Sequence, residues 1–466
     1  MDSSKYTTWT YGPNDQLLQV RSAFSTNVIS QYDSTYDSAG RRVAIIRSGL
    51  AMSETRADEY NYNIRGELIS AIKNTKGTKV LEYQYQYDDI GNRISSYDLG
   101  TNRTYTANNL NQYTSISNSA SSALSAGEFI PQFDDDGNQT LIQTATGIWQ
   151  VQYNGENHPV VWQCVSTNSS TPNSATPPLI SMSYDRLGRR VTKNDQRFVY
   201  DGYLQIANFE EAATNSQLTT LNSQLFIWDP TELVATRPLV WNSDNCTSVY
   251  THDGNKNVSE VINSDDVTVA HYEYTPFGAV AKQYGDCAVA NPWRFSSEYG
   301  EDALGLIYYN YRHLQYNIGR WIIRDAFEEL YPQVIAIGFV NLYSFVSNQS
   351  TDSFDLRGLD RPGCDIVGAI PGWESDCRLK CCAKHDQCYY ENKCTAWSWF
   401  GLLNPFSCPS KCDDCNIEVV ICTISCFGGH DPLPPSPWEK PKPNGGKYYC
   451  ATRHSYVSDP KDCPRK

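Results

Sequence analysis

Residues 379–394 read LKCCAKHDQCYYENKC and place His385 and Asp386 side by side among Cys381, Cys382 and Cys388. Imidazole is the usual general base near neutral pH, and a carboxylate is a hard-oxygen ligand suited to Ca2+. Adjacent residues on a helix diverge by about 100°, so Asp386 does not orient His385 as the acid of a triad would. The two side chains act on different partners. The surrounding stretch 373–393 has Ser375 as a candidate N-cap and contains no Gly or Pro, which predicts one helix. On it Cys381, His385 and Cys388 fall at i, i+4 and i+7, on one face, with Cys382 and Asp386 on the neighbouring stripe. A second helix is expected over CDDCNIEVVICTISCF, residues 412–427, where Cys415, Cys422 and Cys426 share a face. Two helices stapled through such faces would hold His385 rigidly between them.

The elements that carry this site differ sharply from the rest of the chain. Of 16 cysteines, Cys164, Cys246 and Cys287 precede residue 360, and the other 13 lie in the last 107 residues. That density marks a disulfide scaffold in an oxidising compartment, and CxxC/HxxxH-type zinc spacing is absent. Residues 1–359 hold 25 Lys and Arg against 39 Asp and Glu, while 360–466 hold 13 of each, so the net charge of −14 sits in the first part. An acidic bulk excludes nucleic acid as the main partner. With 32 Tyr, 11 Trp, 3 Met and only 19% charged residues, the composition suits multi-stranded β structure. No apolar run is long enough for a membrane-spanning helix, and MDSSKYTTWTYGPNDQ has no signal-peptide core. With a disulfide-rich domain, that implies export by another route or a chain that continues something longer.

One element recurs before residue 359. Tyr36-Asp37-Ser38-Ala39-Gly40-Arg41 is followed by Tyr62-Asn63-Ile64-Arg65-Gly66 and Tyr87-Asp88-Asp89-Ile90-Gly91-Asn92-Arg93, spaced 26 and 25 residues apart. Weaker copies start at Phe133, Tyr184 and Tyr274. Asp followed three positions later by Gly is turn chemistry, because the carboxylate caps the turn and Gly takes the positive φ. Alternating stretches such as VLEYQYQYD, residues 80–88, lie between the turns. The unit is a β-hairpin that must stack on its neighbours to bury a face. The stretches 115–128 and 166–178, rich in Ser, read as surface loops.

This tyrosine-aspartate repeat resembles the Rhs/YD-repeat family. The resemblance strengthens over NPWRFSSEYGEDALGLIYYNYRHLQYNIGRWIIRD, from Asn291, and over NLYSFVSNQS and FDLRGL up to Leu359. It implies a β shell wound as a spiral around a variable C-terminal effector. It also implies self-cleavage just after Asp355-Leu356-Arg357-Gly358-Leu359, with Asp325 and Asp355 as candidate acids. The second acid expected before NLYSF is replaced by IGFV. The alternative reading makes Asp325 and Asp355 plain turn residues.

Cys381-Cys382-Ala383-Lys384-His385-Asp386-Gln387-Cys388-Tyr389 resembles the active-site motif of secreted phospholipase A2. That resemblance implies His385 as the base that activates water against the sn-2 ester of a glycerophospholipid. It also implies Ca2+ held by Asp386 and by carbonyl oxygens of Cys364, Val367 and Gly368, in the loop opened by Gly363-Cys364. Disulfides Cys381 to Cys422 and Cys388 to Cys415 follow by the same analogy. Asn416 stands where the family has the Asp that supports the histidine's far nitrogen, and it hydrogen-bonds without stabilising an imidazolium as well.

The expected architecture is therefore multidomain: an all-β Rhs/YD-repeat shell over 1–290, an Rhs core-associated region over 291–359, and a small disulfide-rich α-helical phospholipase A2-like domain over 360–466. The expected function is that of a secreted toxin that acts on phospholipid membranes, its effector enclosed by the shell. The competing expectation is a catalytically weak module that binds membrane or a receptor on a surface adhesin. KYYCATRHSYVSDPKDC, residues 447–463, is expected to close the chain as a short hairpin.

Overall fold

The structure, a computed structural model, describes residues 5–355 except 14–15, 99, 120–126, 168–177, 215–216, 232–235, 244–245 and 326–340, with Gly358, 448–450 and 455–457. The chain divides into two compact units, residues 1–362 and 363–466. The described part of the second is an antiparallel hairpin in which Tyr448–Cys450 pairs with Ser455–Val457, as its sequence leads one to expect.

The first unit is an antiparallel meander. Among the described residues, eleven strands from Lys5–Tyr11 to Gly127–Phe129 form one sheet, and fourteen from Gln132–Phe133 to Val280–Tyr284 form a second. A four-stranded sheet follows, made of Tyr299–Glu301, Leu306–Tyr309, Arg312–Gln315 and Arg320–Trp321. Within each sheet every strand pairs with its sequence neighbours. Alternation decides the faces: in Thr78–Tyr87, Tyr83 and Tyr85 are buried while Gln84 and Gln86 are exposed. The inward faces of the two large sheets meet, with the Tyr85 and Phe277 rings edge-on at 5.1 Å. No described helix is long and apolar enough to cross a membrane.

The repeat turns show why the sequence folds this way locally. Asp37 Oδ1 accepts from the N–H groups of Ala39 and Arg41, both at 2.9 Å, and Gly40 adopts φ +83°. The same turn recurs at Asn63, Asp88 and Asp185, with Gly66, Gly91 and Gly188 at positive φ. Asp134 and Thr275 close it with one such bond each. The sequence reading missed four more, at Asn108, Asn154, Asp253 and Asn263. There the left-handed position is taken by Asn111, Asn157, Lys256 and Asp266 instead of Gly, so the Gly signature is lost although the hydrogen bonds are kept.

The repeat tyrosine has an equally specific task. Its hydroxyl donates to the carbonyl of the first residue of the preceding strand: Tyr36 to Leu17 at 2.8 Å, Tyr62 to Arg42 at 2.6 Å, Tyr87 to Leu68 at 3.0 Å. Tyr153, Tyr184 and Tyr274 do the same with Gln139, Pro159 and Val258. Phe would fill the volume but leave a carbonyl unpaired at each strand start. One loop expectation is corrected. Residues 115–119 belong to the strand Tyr113–Ser119, because Ile116, 4% exposed, packs on the core face while Ser115 and Ser117 face outward.

Candidate functional site

Among the described residues, the four-stranded sheet and the segment after it assemble the one place where two sequence-predicted site residues meet. Arg312 lies on Arg312–Gln315 opposite Tyr309. The rings of Tyr309, Trp321 and Phe345 pack edge-on at 5.0 to 5.8 Å, and the Arg312 guanidinium lies 4.1 Å from the Trp321 ring centre. Asp325 follows the last strand of this sheet, where its N–H donates to the Leu342 carbonyl.

Around this guanidinium converge three groups from later in the chain. Arg312 Nη1 is 2.6 Å from Asp325 Oδ2, Nη2 donates to Asp355 Oδ2 at 3.0 Å, and Nε donates to the Gly358 carbonyl. Arg312, Asp325 and Asp355 are each 2% exposed. A guanidinium presents its donors in a rigid planar fork, so one side chain hydrogen-bonds Asp355 and a backbone carbonyl while pairing by charge with Asp325. Gly358 has φ +75°, and a Cβ there would stand 2.9 Å from Tyr309 Cβ. Only glycine lets the chain run this close to the sheet. Two carboxyl groups thus converge on one guanidinium beside the Gly358 backbone.

A strap of residues 341–355 leads into this cluster and crosses the ends of the repeat turns. Tyr343 Oη donates to Gly137 O, Asn348 Nδ2 to Gly91 O at 2.9 Å and to Glu67 Oε1 at 3.1 Å, and Arg42 Nη1 to Thr351 O. Asn255 Nδ2 donates to Ser350 O at 3.0 Å. Val346, Ser347 and Asn348 all have positive φ, at 42°, 51° and 62°. The strap accepts that left-handed strain, about 1–2 kcal/mol per residue, because burial and these ties over-determine it.

The sequence thus identified Asp325 and Asp355, and the structure brings them together; Leu359 lies outside the described residues. So do His385, Asp386, Asn416, Cys364, Val367, Gly368, Cys381, Cys388, Cys415 and Cys422. The residue missed was Arg312, seen only as a motif position. A single Arg between aromatic residues in YNYRHLQY was the available signal, since a cation buried there needs acidic partners. Cys287 is disulfide-bonded and Cys164 is a free buried thiol.

No protein-family profile and no curated protein matches the chain. Among solved structures it is similar to the crystal structure of TcdB2-TccC3-TEV, at 18% identity and a TM-score of 0.51, over 76% of this chain and 19% of that one. It also matches a structure of the Photorhabdus luminescens Tc holotoxin pore with a TccC3 mutation, at 18% identity and TM-score 0.46, over 76% and 19% of the two chains. The chain thus spans about a fifth of the length of these structures. At this identity the likeness is one of fold. The repeat sheets of the first unit have an Rhs-like, all-antiparallel β fold.

Proposed function

We propose that this chain is an Rhs-type toxin component in which residues 1–359 carry, enclose and release a C-terminal effector with phospholipase A2 activity. The carrier half of the reading rests on the Rhs-like fold and on the Arg312 cluster at the point where the first unit ends. The effector half rests on one observation, the His385-Asp386 pair set within Cys381-Cys382 and Cys388. His385 takes a proton from water, and that water attacks the sn-2 ester carbonyl of a glycerophospholipid. Asp386 and the carbonyl oxygens of Cys364, Val367 and Gly368 would hold Ca2+, which when bound polarises the ester and stabilises the oxyanion. Release follows cleavage after Leu359, with Asp325 and Asp355 as acid and base and Arg312 holding them. The protein would act outside the cell that makes it, at a phospholipid surface.

The full chain added to phosphatidylcholine vesicles should release fatty acid only with Ca2+, and His385→Gln and Asp386→Asn should each abolish release. Activity that survives in both variants, or in a chelator, overturns the effector half. Separately, the intact mass of the expressed chain should resolve into residues 1–359 and 360–466, and Asp325→Asn or Asp355→Asn should leave it whole. An uncut wild type overturns the self-cleavage. Asn416 favours a second reading, a phospholipase-like module that binds membrane or a receptor on a surface adhesin. Vesicle binding without hydrolysis would support it.

A further inference from the structure

A buried histidine joins the two large sheets through carboxylates on both sides of its ring. His271, on Thr268–Tyr274 and 2% exposed, has Nδ1 3.1 Å from Glu260 Oε1 and Nε2 3.7 Å from Glu273 Oε1. Its ring stacks on Tyr284 with centres 4.8 Å apart. These residues belong to the fourteen-stranded sheet, and each carboxylate reaches the other sheet. Glu260 accepts from Ser30 Oγ at 2.7 Å and from Tyr32 Oη at 3.4 Å, besides Thr251 and Ser259 of its own sheet. Glu273 pairs with Arg56, which also holds Asp58 at 2.9 Å, and with Lys282 at 3.5 Å. Tyr284 Oη donates to Ala51 O across the same seam.

An ionised carboxylate only accepts hydrogen bonds, and a neutral imidazole has one N–H and one lone pair. A neutral His271 would therefore turn a lone pair toward one of the two carboxylates whichever tautomer it took. Only the imidazolium turns an N–H and positive charge toward each, with a hydrogen-bond distance of 3.1 Å to Glu260 and an ion-pair distance of 3.7 Å to Glu273. We propose that His271 is a proton-operated latch between the two large sheets, closed when protonated and loosened when it loses its proton.

The surrounding charges support this. Burial alone would push His271 down, but hydrogen bonds and charges from Glu260 and Glu273 raise it above the ordinary histidine value. Burial opposes ionisation of Glu260 too, and the bonds from His271, Thr251 and Ser30 outweigh it and hold its carboxyl below the usual range. Glu273 is likewise held low against its burial, by His271 and Arg56. Burial pushes Tyr32 and Tyr284 up, so both stay neutral, and Arg56 stays charged beside Asp58 and Glu273 despite burial. The other described histidines, His158, His252 and His313, are all pushed down by burial, so none of them mimics this behaviour.

The sign follows from linkage. A folded-state value above the unfolded one, about 6.5, gives stabilisation that is complete below about 6.5 and lost as pH rises through the folded value. The test is a pH series on the full chain labelled at histidine Cε1. His271, identified by the resonance that His271→Gln removes, should titrate above 6.5. Amide-exchange protection of Asn27–Tyr36, corrected for the intrinsic rate, should fall by up to about tenfold per pH unit between about 6.5 and that midpoint, then level off. In His271→Gln the fall should vanish. A midpoint at or below 6.5, or the same fall in the variant, overturns the latch. Should that variant not fold, Glu273→Gln removes one of the two acceptor charges and should move the wild-type midpoint down; an unmoved midpoint overturns it equally.

Discussion

The repeat sheets and the segment 291–358 solve the same problem, burying polar backbone in a β protein, in opposite ways. In the repeats the turns are closed within four residues by an Asp, Asn or Thr side chain, and the strand starts by a tyrosine hydroxyl of the adjacent strand, 14 to 25 residues on. In the later segment closure comes from far away: Asn348 reaches Glu67 across 281 residues, and Arg312 gathers Asp325, Asp355 and Gly358. A local device is repeated cheaply and tolerates variation, because losing one turn leaves its neighbours intact. The long-range device concentrates its effect in a few side chains.

The largest expected effect therefore falls on Arg312. Replacing it with Met keeps much of the volume but strands two buried carboxylates, and removing one partner from a buried ion pair costs about 3–5 kcal/mol. Urea unfolding of the full chain should show the first unit's midpoint drop accordingly. Adding Asp325→Asn and Asp355→Asn to Arg312→Met should recover part of the loss, because the uncompensated charges are gone. A drop under about 1 kcal/mol would place Arg312 among groups that water still reaches, and the contrast between the two regions would fail.

Next come two glycines in the same turn type. Gly40 and Gly137 have φ +83° and +81°, so Ala pays the same left-handed cost at each, about 1–2 kcal/mol. They differ in what lies beyond. A Cβ at Gly40 meets nothing nearer than 3.9 Å, whereas at Gly137 it stands 2.6 Å from Arg324 Nε and 2.8 Å from Tyr343 Oη. Gly137→Ala should thus cost at least about 1 kcal/mol more than Gly40→Ala, by breaking the Tyr343 hydrogen bond to Gly137 O as well. Equal midpoints for the two variants would mean that the strap does not brace the turns.

This division also explains what the sequence could reveal. Turns built on Asp and Gly were legible because each residue acts on its own backbone. The turn at Asp253 was not, since Lys256 holds its left-handed position and nothing in Lys advertises a positive φ. The tyrosine repeat was visible, but its hydroxyl bond was not, because the acceptor is a backbone carbonyl 14 to 25 residues earlier in the chain. Asp325 and Asp355 were named through a resemblance. Their convergence on Arg312, like the facing of His271 by Glu260 on the neighbouring strand, depends on pairings that no local period encodes.

The smallest effect tests the repeat itself. Tyr87 donates to the carbonyl of Leu68, a residue with no exposed surface. Tyr87→Phe keeps the ring and leaves that carbonyl short of a donor, a loss of about 1–2 kcal/mol. Tyr11 ends its strand as Tyr36 does, and its turn is closed by the same backbone bond, Gly12 N–H to Gln16 O, as Asp37 N–H to Arg41 O. Yet Tyr11 is 56% exposed and its hydroxyl has no partner among the described residues. Tyr11→Phe should accordingly stay within about 0.5 kcal/mol of the parent. Should both substitutions cost the same, the repeat keeps tyrosine for its ring, as packing alone would require. If only Tyr87→Phe costs, the hydroxyl is the reason this chain carries tyrosine where phenylalanine would fill the same space.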